Sequence, residues 1–303
     1  MTAAPTAPNN ALSTVITDQK RWSTTANSLK SSIEQARRTV LWLAVLGAVL
    51  ETLAAQLAHV AKPEQIKTSH SALAMALGYI GAAALAIIAV VRQWKLGHDR
   101  TQAWILCRSG SESLKREIYR YRTKTGPYAA ANADSELLDR REEILKKLEP
   151  YQKYALDPPQ SIAVPGFLDI TGYLNERITG PNGNRKFFYE RSSQYARRLK
   201  FLNGMQFSLA VLGALLGAAV TMTGIQTYGA WVAVITTIGG ALSAHVLAQK
   251  YEQLTISYRA AAQRLDGAVA RWNNASNLGD LVEACEKILL EENQGWIAGA
   301  DQQ

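Results

Sequence analysis

The sequence has little of what disulfide-bonded, metal-binding or catalytic proteins need. It holds two cysteines in 303 residues, and Cys107 and Cys285, both on predicted helices, are expected to be reduced, partly buried thiols. Its four histidines share no metal-ligand spacing with each other or with cysteine. No HExxH, GxSxG or Walker sequence is present. We therefore expect no metal site, no cofactor and no catalytic residues, and we expect that the protein is not an enzyme.

Lysine and arginine are absent from four long apolar windows, although the mean hydropathy of the whole chain is close to zero. Each window has about 20 residues, the length that an α-helix needs to cross roughly 30 Å of hydrocarbon. The core of a soluble helical bundle is the alternative, but the basic residues that flank the windows favour membrane helices. The predicted fold is an all-α membrane protein, extended by long amphipathic cytoplasmic helices, with transmembrane helices at about 39–61, 71–91, 205–224 and 228–248.

Short joins connect the windows in pairs, at 62–70 and at 225–227, which predicts two antiparallel hairpins. The segment 92–204 has 21 lysines and arginines against 13 acids, whereas the joins contain only Lys62 and Lys67. By the positive-inside rule, both termini and the 92–204 segment are expected to be cytoplasmic. Residues 1–38 lack the apolar core of a cleaved signal peptide, so we expect the first membrane helix to be an uncleaved insertion signal.

The hexapeptide LAVLGA occurs twice, at 43–48 and at 209–214, and an arginine pair precedes each hairpin. After the hairpins, residues 107–121 align with residues 258–272 at a constant offset of 151, and both segments have apolar residues at helical spacing. These agreements predict a duplicated two-helix membrane unit. The predicted domains are a first unit at 1–128, a short helix with a Pro-rich linker at 129–168, and a second unit at 169–303.

The segment WILCRSGSESLKREIYRYRTKTGPY (104–128) resembles the post-membrane helix of SLATT domains. These are two-transmembrane effector domains found beside bacterial SMODS and SLOG nucleotide-signalling proteins. The segments 169–178, 187–198 and 286–296 resemble the same family. The resemblance implies a tandem of two SLATT-like units in the bacterial inner membrane. It also implies an effector that forms or gates a pore in response to a nucleotide-linked or antiphage sensing partner.

Glu51 is the only acidic residue in the four windows, and it falls near the middle of the first. An ionisable group at that depth costs about 2–3 kcal/mol, so it either lines a pore or is a neutral carboxyl hydrogen-bonded between helices. His245, near the cytoplasmic end of the fourth window, is a second pore or gating candidate, with an interfacial histidine as the alternative. Small residues that allow close helix packing are expected at Gly213 and Gly217, and at Gly78 and Gly81.

Five further residues are candidates for structural or partner contacts: Arg108, Glu112, Arg259, Glu291 and Trp296. Arg108 and Arg259 occupy the same position of the repeat, where a helix-to-acid bond is favoured over a ligand site. Glu112, Glu291 and Trp296 match the pattern expected of the SLATT family. We expect a homo-oligomer in the lipid bilayer and no nucleic-acid partner, because the basic residues are scattered among acids and aromatics. The alternative function is a non-conducting scaffold that recruits a cytoplasmic partner through its basic helices.

Overall fold

The computed structural model describes residues 10–60, 69–158, 163–224, 226–272 and 277–298. These residues form helices and connecting turns, and no strand occurs among them. The predicted all-α fold is confirmed. The helices are α1 Asn10–Val60, α2 Ser69–Lys95, α3 His98–Arg122, α4 Ala133–Leu148, α5 Ile170–Tyr173, α6 Asn184–Thr223, α7 Gln226–Gln249, α8 Tyr251–Arg271 and α9 Leu278–Ala298.

Four of these helices, α1, α2, α6 and α7, are long and apolar enough to cross a membrane. Each contains one of the four windows predicted from the sequence, apart from the last residue of the first and third windows. The helix α1 is 51 residues long, about 75 Å at 1.5 Å per residue, so it continues well beyond any bilayer. The amphipathic stretch that precedes the first window therefore belongs to the same helix as the window itself.

The chain folds into two compact units, and each unit takes residues from both halves of the sequence. The membrane unit comprises Ser32–Gly97 and Gln194–Gln253, which include all four apolar windows. The polar unit comprises Met1–Ser31, His98–Ser193 and Leu254–Gln303. The division predicted at 128 and 168 concerns the repeat along the sequence, and it stays a prediction.

The membrane unit consists of helices with apolar outer faces. Large apolar side chains lie exposed along these helices, among them Phe207 with 71% and Met222 with 86% of its area accessible. Within the first hairpin the helices approach closely, since a Cβ built on Gly47 would lie 2.8 Å from Leu85 Cδ2. Such exposed area is far more than a soluble protein tolerates in one region, and hydrocarbon is the solvent that suits it.

The polar unit is built around α3, whose buried face carries Cys107, Ser111, Leu114, Ile118 and Tyr121 at steps of three and four residues. The first part of α1 contributes its own buried stripe, which includes Trp22 and Leu29. The helix α4 packs on α3, and a Cβ on Gly110 would lie 2.5 Å from Leu148 Cδ1. The helical spacing of apolar residues in 107–121 correctly predicted the buried face of α3.

Candidate functional site

A short irregular helix in the polar unit positions one of the two most buried charged groups among the described residues. Asp169 caps α5, since its carboxylate accepts a hydrogen bond from the Gly172 N–H at 2.7 Å. The chain then continues as a π-helix, Leu174–Thr179. Helical turns of this kind are rare and are frequently found at functional sites. Here the π-helix carries Arg177, which is only 2% exposed.

Arg177 forms a two-point ion pair with Glu286 of α9. Its Nε and Nη2 each lie 2.9 Å from one oxygen of the Glu286 carboxylate, whose side chain is fully buried. The Tyr173 hydroxyl donates a third hydrogen bond to the same carboxylate at 3.1 Å. A buried charge needs partners of this quality, because its desolvation would otherwise cost several kcal/mol. The pair therefore fastens α9 to the segment around the π-helix.

Charged side chains of α3 extend this ion pair toward the surface. Glu112 Oε2 lies 4.0 Å from Nη1 of Arg177. Burial alone would raise the pKa of Glu112, but Lys115, Arg177 and Arg108 outweigh it, and the pKa lies below its usual value. Burial lowers the pKa of Lys115, against the opposing effect of Glu112 and Glu286. The three basic groups thus keep Glu112 ionised beside a buried pair.

A second ion pair joins α3 to the same π-helix. Arg122 contacts both oxygens of Glu176, at 2.5 and 2.9 Å, and its Nε donates to the Gly166 carbonyl at 2.8 Å. The Tyr119 hydroxyl also donates to Glu176, at 3.1 Å. Burial raises the pKa of Tyr119 to about 12, so this hydroxyl stays a donor at neutral pH.

The two arginines share one aromatic ring. The guanidinium carbons of Arg177 and Arg122 lie 4.8 and 5.5 Å from the centroid of the Tyr119 ring. Each arginine also donates two hydrogen bonds to one carboxylate, so the charge of each guanidinium is balanced by an acid within the cluster. Chemically, this arrangement can hold α3, α9 and the π-helix in one register. We name the cluster of Arg122, Tyr173, Glu176, Arg177 and Glu286 the polar clamp.

The structure places Glu51 on the face of α1 that packs against α2. Its side chain is half-buried, and a Cβ built on Gly81 would lie 3.0 Å from both Cγ and Oε1 of Glu51. One turn away, Gly78 faces Ala54, whose Cβ would lie 3.8 Å from a Cβ at that position. The two glycines therefore border the helix contact that contains Glu51, and the lack of a side chain at Gly81 makes room for its carboxyl.

The other membrane candidates lie on the second hairpin. A Cβ on Gly213 would lie 3.5 Å from Ile235 of α7, whereas one on Gly217 would meet nothing within 4 Å. Gly213 is thus part of the hairpin contact, and Gly217 is open on this chain. His245 is half-buried on α7, and the charged groups that act on it are Arg37 and Arg38 of α1.

The two arginines of the repeat have different surroundings. Arg108 is half-buried on α3, and its charge helps to lower the pKa of Glu112. Arg259 is exposed on α8, and its charge opposes the rise in the pKa of the Tyr189 hydroxyl that Asp266 causes. Glu291 forms an ion pair with Arg264 of α8. The side chain of Trp296 lies outside the described residues. Of the five contact candidates, Arg108 and Glu112 come together, at the edge of the polar clamp.

Sequence reasoning missed the polar clamp as a unit, although signals for it were present. Glu286 follows Val282 by four residues and Cys285 by one, so it falls on the apolar face of α9, and all three are fully buried. An acid at such a position needs a buried base. The segment 169–178 resembles the SLATT family, but no spacing along the chain indicates that Arg177 is the partner of Glu286.

Two protein-family models match the chain, one in each half. Residues 173–296 match the model described as SMODS and SLOG-associating 2TM effector domain 1. Residues 20–136 match a model described as a protein of unknown function, DUF4231. The resemblance to SLATT domains is thus confirmed for the second half, and the tandem is supported only in part. No curated protein and no solved structure matches the chain significantly.

Proposed function

We propose that this chain, which carries a SMODS and SLOG-associating 2TM effector domain at residues 173–296, forms or gates a pore in the bacterial inner membrane. A nucleotide-linked or antiphage sensing partner triggers it. The observation that carries the proposal is the match to a two-transmembrane effector domain in a chain whose described residues include four helices long and apolar enough to cross a membrane. In this proposal the protein acts without catalysis and without nucleic acid.

The proposed topology rests on where the exposed bases lie. Arg38 precedes the first window, Arg92 and Lys95 follow the second, and Arg197 and Arg198 precede the third, and all five side chains are exposed. Under the positive-inside rule, bases at these three helix ends support a topology in which both termini and the 92–204 segment are cytoplasmic. Anionic lipid headgroups on that side add about 1 kcal/mol of attraction per base.

The outer faces of the membrane unit support oligomerisation as part of this proposal. The described residues include four helices long and apolar enough to span a membrane, and a Cβ built on Gly217 of α6 would meet no described atom within 4 Å. Small residues on an outer face let a second helix approach closely. We propose that copies of the chain assemble through such faces, and that rearrangement of the first hairpin exposes Glu51 to the water-filled path.

Membrane potential in bacteria that express the chain tests this proposal. The native chain, Glu51→Leu and Glu51→Gln are expressed to equal levels, with Gly78→Ala as the matched control on the same hairpin. Depolarisation by the native chain and the control but not by Glu51→Leu supports a pore that uses this residue. Retained activity in Glu51→Gln assigns a hydrogen-bonding role, and lost activity assigns a role for the charge.

Dye release from liposomes that contain the purified chain provides the second readout, since it does not depend on expression. Release by neither the native chain nor any variant, together with no depolarisation, would contradict pore formation. It would favour the non-conducting scaffold, in which Glu51→Leu is harmless and substitutions of exposed bases such as Lys146 and Lys147 of α4 abolish partner recruitment.

A further inference from the structure

A groove lies between α8 and α9 in the polar unit, away from the polar clamp. Its volume is about 450 Å³, within the range of sites that bind small molecules. Ala268, Leu281 and Ile288 line it with buried apolar surface, and Ala284 lines it from α9. The groove is thus an apolar slot of ligand size between two helices.

The charges around the groove are predominantly positive. Three bases line it, Arg264, Arg271 and Lys287, against the two acids Asp280 and Glu291. Glu291 is already ion-paired with Arg264, and the Nε of Arg271 is held by the Gly267 carbonyl at 3.0 Å. Arg271 and Lys287 therefore outnumber the remaining acid, and the groove favours an anionic group.

An aromatic ring completes the groove. Trp272 lines it beside Arg271, and the Nε1–H of Trp272 is buried and has no acceptor among the described residues. A buried donor without an acceptor is unfavourable, so the described residues leave the Trp272 Nε1–H without the hydrogen bond that it needs. Indole and guanidinium faces are the surfaces on which flat rings stack.

The corresponding face in the first half shows what fills such a position. At the offset of 151, Ala268, Arg271 and Trp272 align with Glu117, Arg120 and Tyr121 of α3. There the ring of Tyr128 packs 5.7 Å from that of Tyr121, between centroids.

Carboxylates complete the first-half position. Asp134 accepts a 2.5 Å hydrogen bond from the Tyr121 hydroxyl. Glu283 lies 3.2 Å from Nη2 of Arg120. Among the described residues, a ring and carboxylates thus close one copy of this face, whereas the other copy borders the α8–α9 groove.

We propose that the α8–α9 groove is a binding site for a small molecule that combines a flat aromatic ring with an anionic group. The ring lies against Trp272 and the apolar lining, and the anion lies between Arg271 and Lys287. This inference goes beyond the proposed pore, because ligand binding in the groove does not require that the chain conducts.

Saturation-transfer difference NMR on the full chain in detergent tests the site with water-soluble probes. Adenosine monophosphate carries a flat ring and a phosphate, and adenosine carries the ring alone. We expect saturation transfer to the ring protons of adenosine monophosphate. Adenosine should bind about tenfold more weakly than the monophosphate. The monophosphate should displace bound adenosine, and inorganic phosphate alone should displace it only weakly. One charge-assisted hydrogen bond is worth about 1.5–3 kcal/mol, which corresponds to roughly tenfold or more.

Three variants locate the binding. Ala284→Trp fills the groove without removing a charge and should abolish the transfer, while Arg271→Gln and Lys287→Gln should each weaken binding about tenfold. Lys147→Gln on α4 is the matched control and should bind as the native chain does. Equal binding of adenosine and the monophosphate, native binding by Ala284→Trp, or no transfer to any probe would overturn the proposal. Melting temperatures identify a variant that fails to fold, and Lys287→Gln, at an exposed position, then serves in place of Arg271→Gln.

Discussion

Removal of one partner from the Arg177–Glu286 pair should destabilise the polar unit more than removal of any exposed ion pair. In Arg177→Met the Glu286 carboxylate loses both guanidinium hydrogen bonds, each 2.9 Å long, and keeps the Tyr173 hydroxyl. Two charge-assisted bonds at about 1.5–3 kcal/mol each give roughly 3–6 kcal/mol. Broken buried pairs cost about 3–5 kcal/mol, so we expect a loss in that range.

Removal of both partners should cost less than removal of either one. The double variant Arg177→Met, Glu286→Leu leaves no buried charge, and its main defect is the Tyr173 hydroxyl, which has lost its acceptor. An unpaired buried hydroxyl costs about 1–3 kcal/mol. We therefore expect the double variant to be more stable than Arg177→Met by about 2 kcal/mol, and the triple variant with Tyr173→Phe to be more stable again.

Pulse proteolysis of the full chain in detergent, over a denaturant series, measures these differences. Arg140→Met is the matched control, because Arg140 is 46% exposed and pairs with Glu136 and Glu143 on the surface of α4. Its expected loss is below about 1 kcal/mol. Losses that simply add in the double variant would show that the two groups are not coupled, and the reasoning would fail.

Three further predictions use matched changes. Gly81→Ala puts a Cβ 3.0 Å from Glu51 and should destabilise the first hairpin by about 1–3 kcal/mol. Gly78→Ala, whose Cβ has its nearest atom at 3.8 Å, should not destabilise it. Equal effects of the two variants in thermal melting would contradict the contact between Gly81 and Glu51. Gly217→Leu should reduce cross-linking between copies without altering the melting of the single chain, and unchanged cross-linking would remove this face from the oligomer contact. The pKa of Glu112 is lowered because neighbouring bases outweigh its burial, so its contribution to stability is present above about pH 4.3 and is lost as the pH falls through the folded-state pKa. Glu112→Gln should therefore lose less stability than the native chain between about pH 5 and 3, and identical acid limbs would refute the assignment.

The sequence was sufficient for the membrane helices because their signal is local. Twenty consecutive apolar residues decide the state of a segment almost regardless of the rest of the chain. The apolar spacing in 107–121 of α3 is an equally local signal, and its residues Leu114 and Ile118 are buried. The repeated LAVLGA was weaker evidence for a tandem, because membrane helices draw on few residue types. The two halves match different family models.

The polar clamp was not predictable in the same way because it joins distant residues. Arg177 and Glu286 are 109 positions apart, and helical periodicity indicates which face of a helix is buried but not which face meets it. The groove beside Trp272 was unpredictable for the same reason, because its lining residues come from two different helices, α8 and α9. Conversely, Glu51 was identified from depth alone, but only its contact with Gly81 shows which face of α1 it occupies.

A buried ion pair is weak evidence for stability, since apolar residues of similar volume often stabilise as well or better. What the pair adds here is a penalty for misplacement. Glu286 is fully buried on a face of α9 that is otherwise apolar, so a shift of α9 by one residue would leave a carboxylate in that face without its guanidinium. The flanking Val282 and Cys285 are also fully buried and would accept several registers at similar free energy, because apolar contacts are not directional. We infer that Arg177 and Glu286 determine how α9 seats against the π-helix, while the surrounding apolar contacts determine how stable that arrangement is.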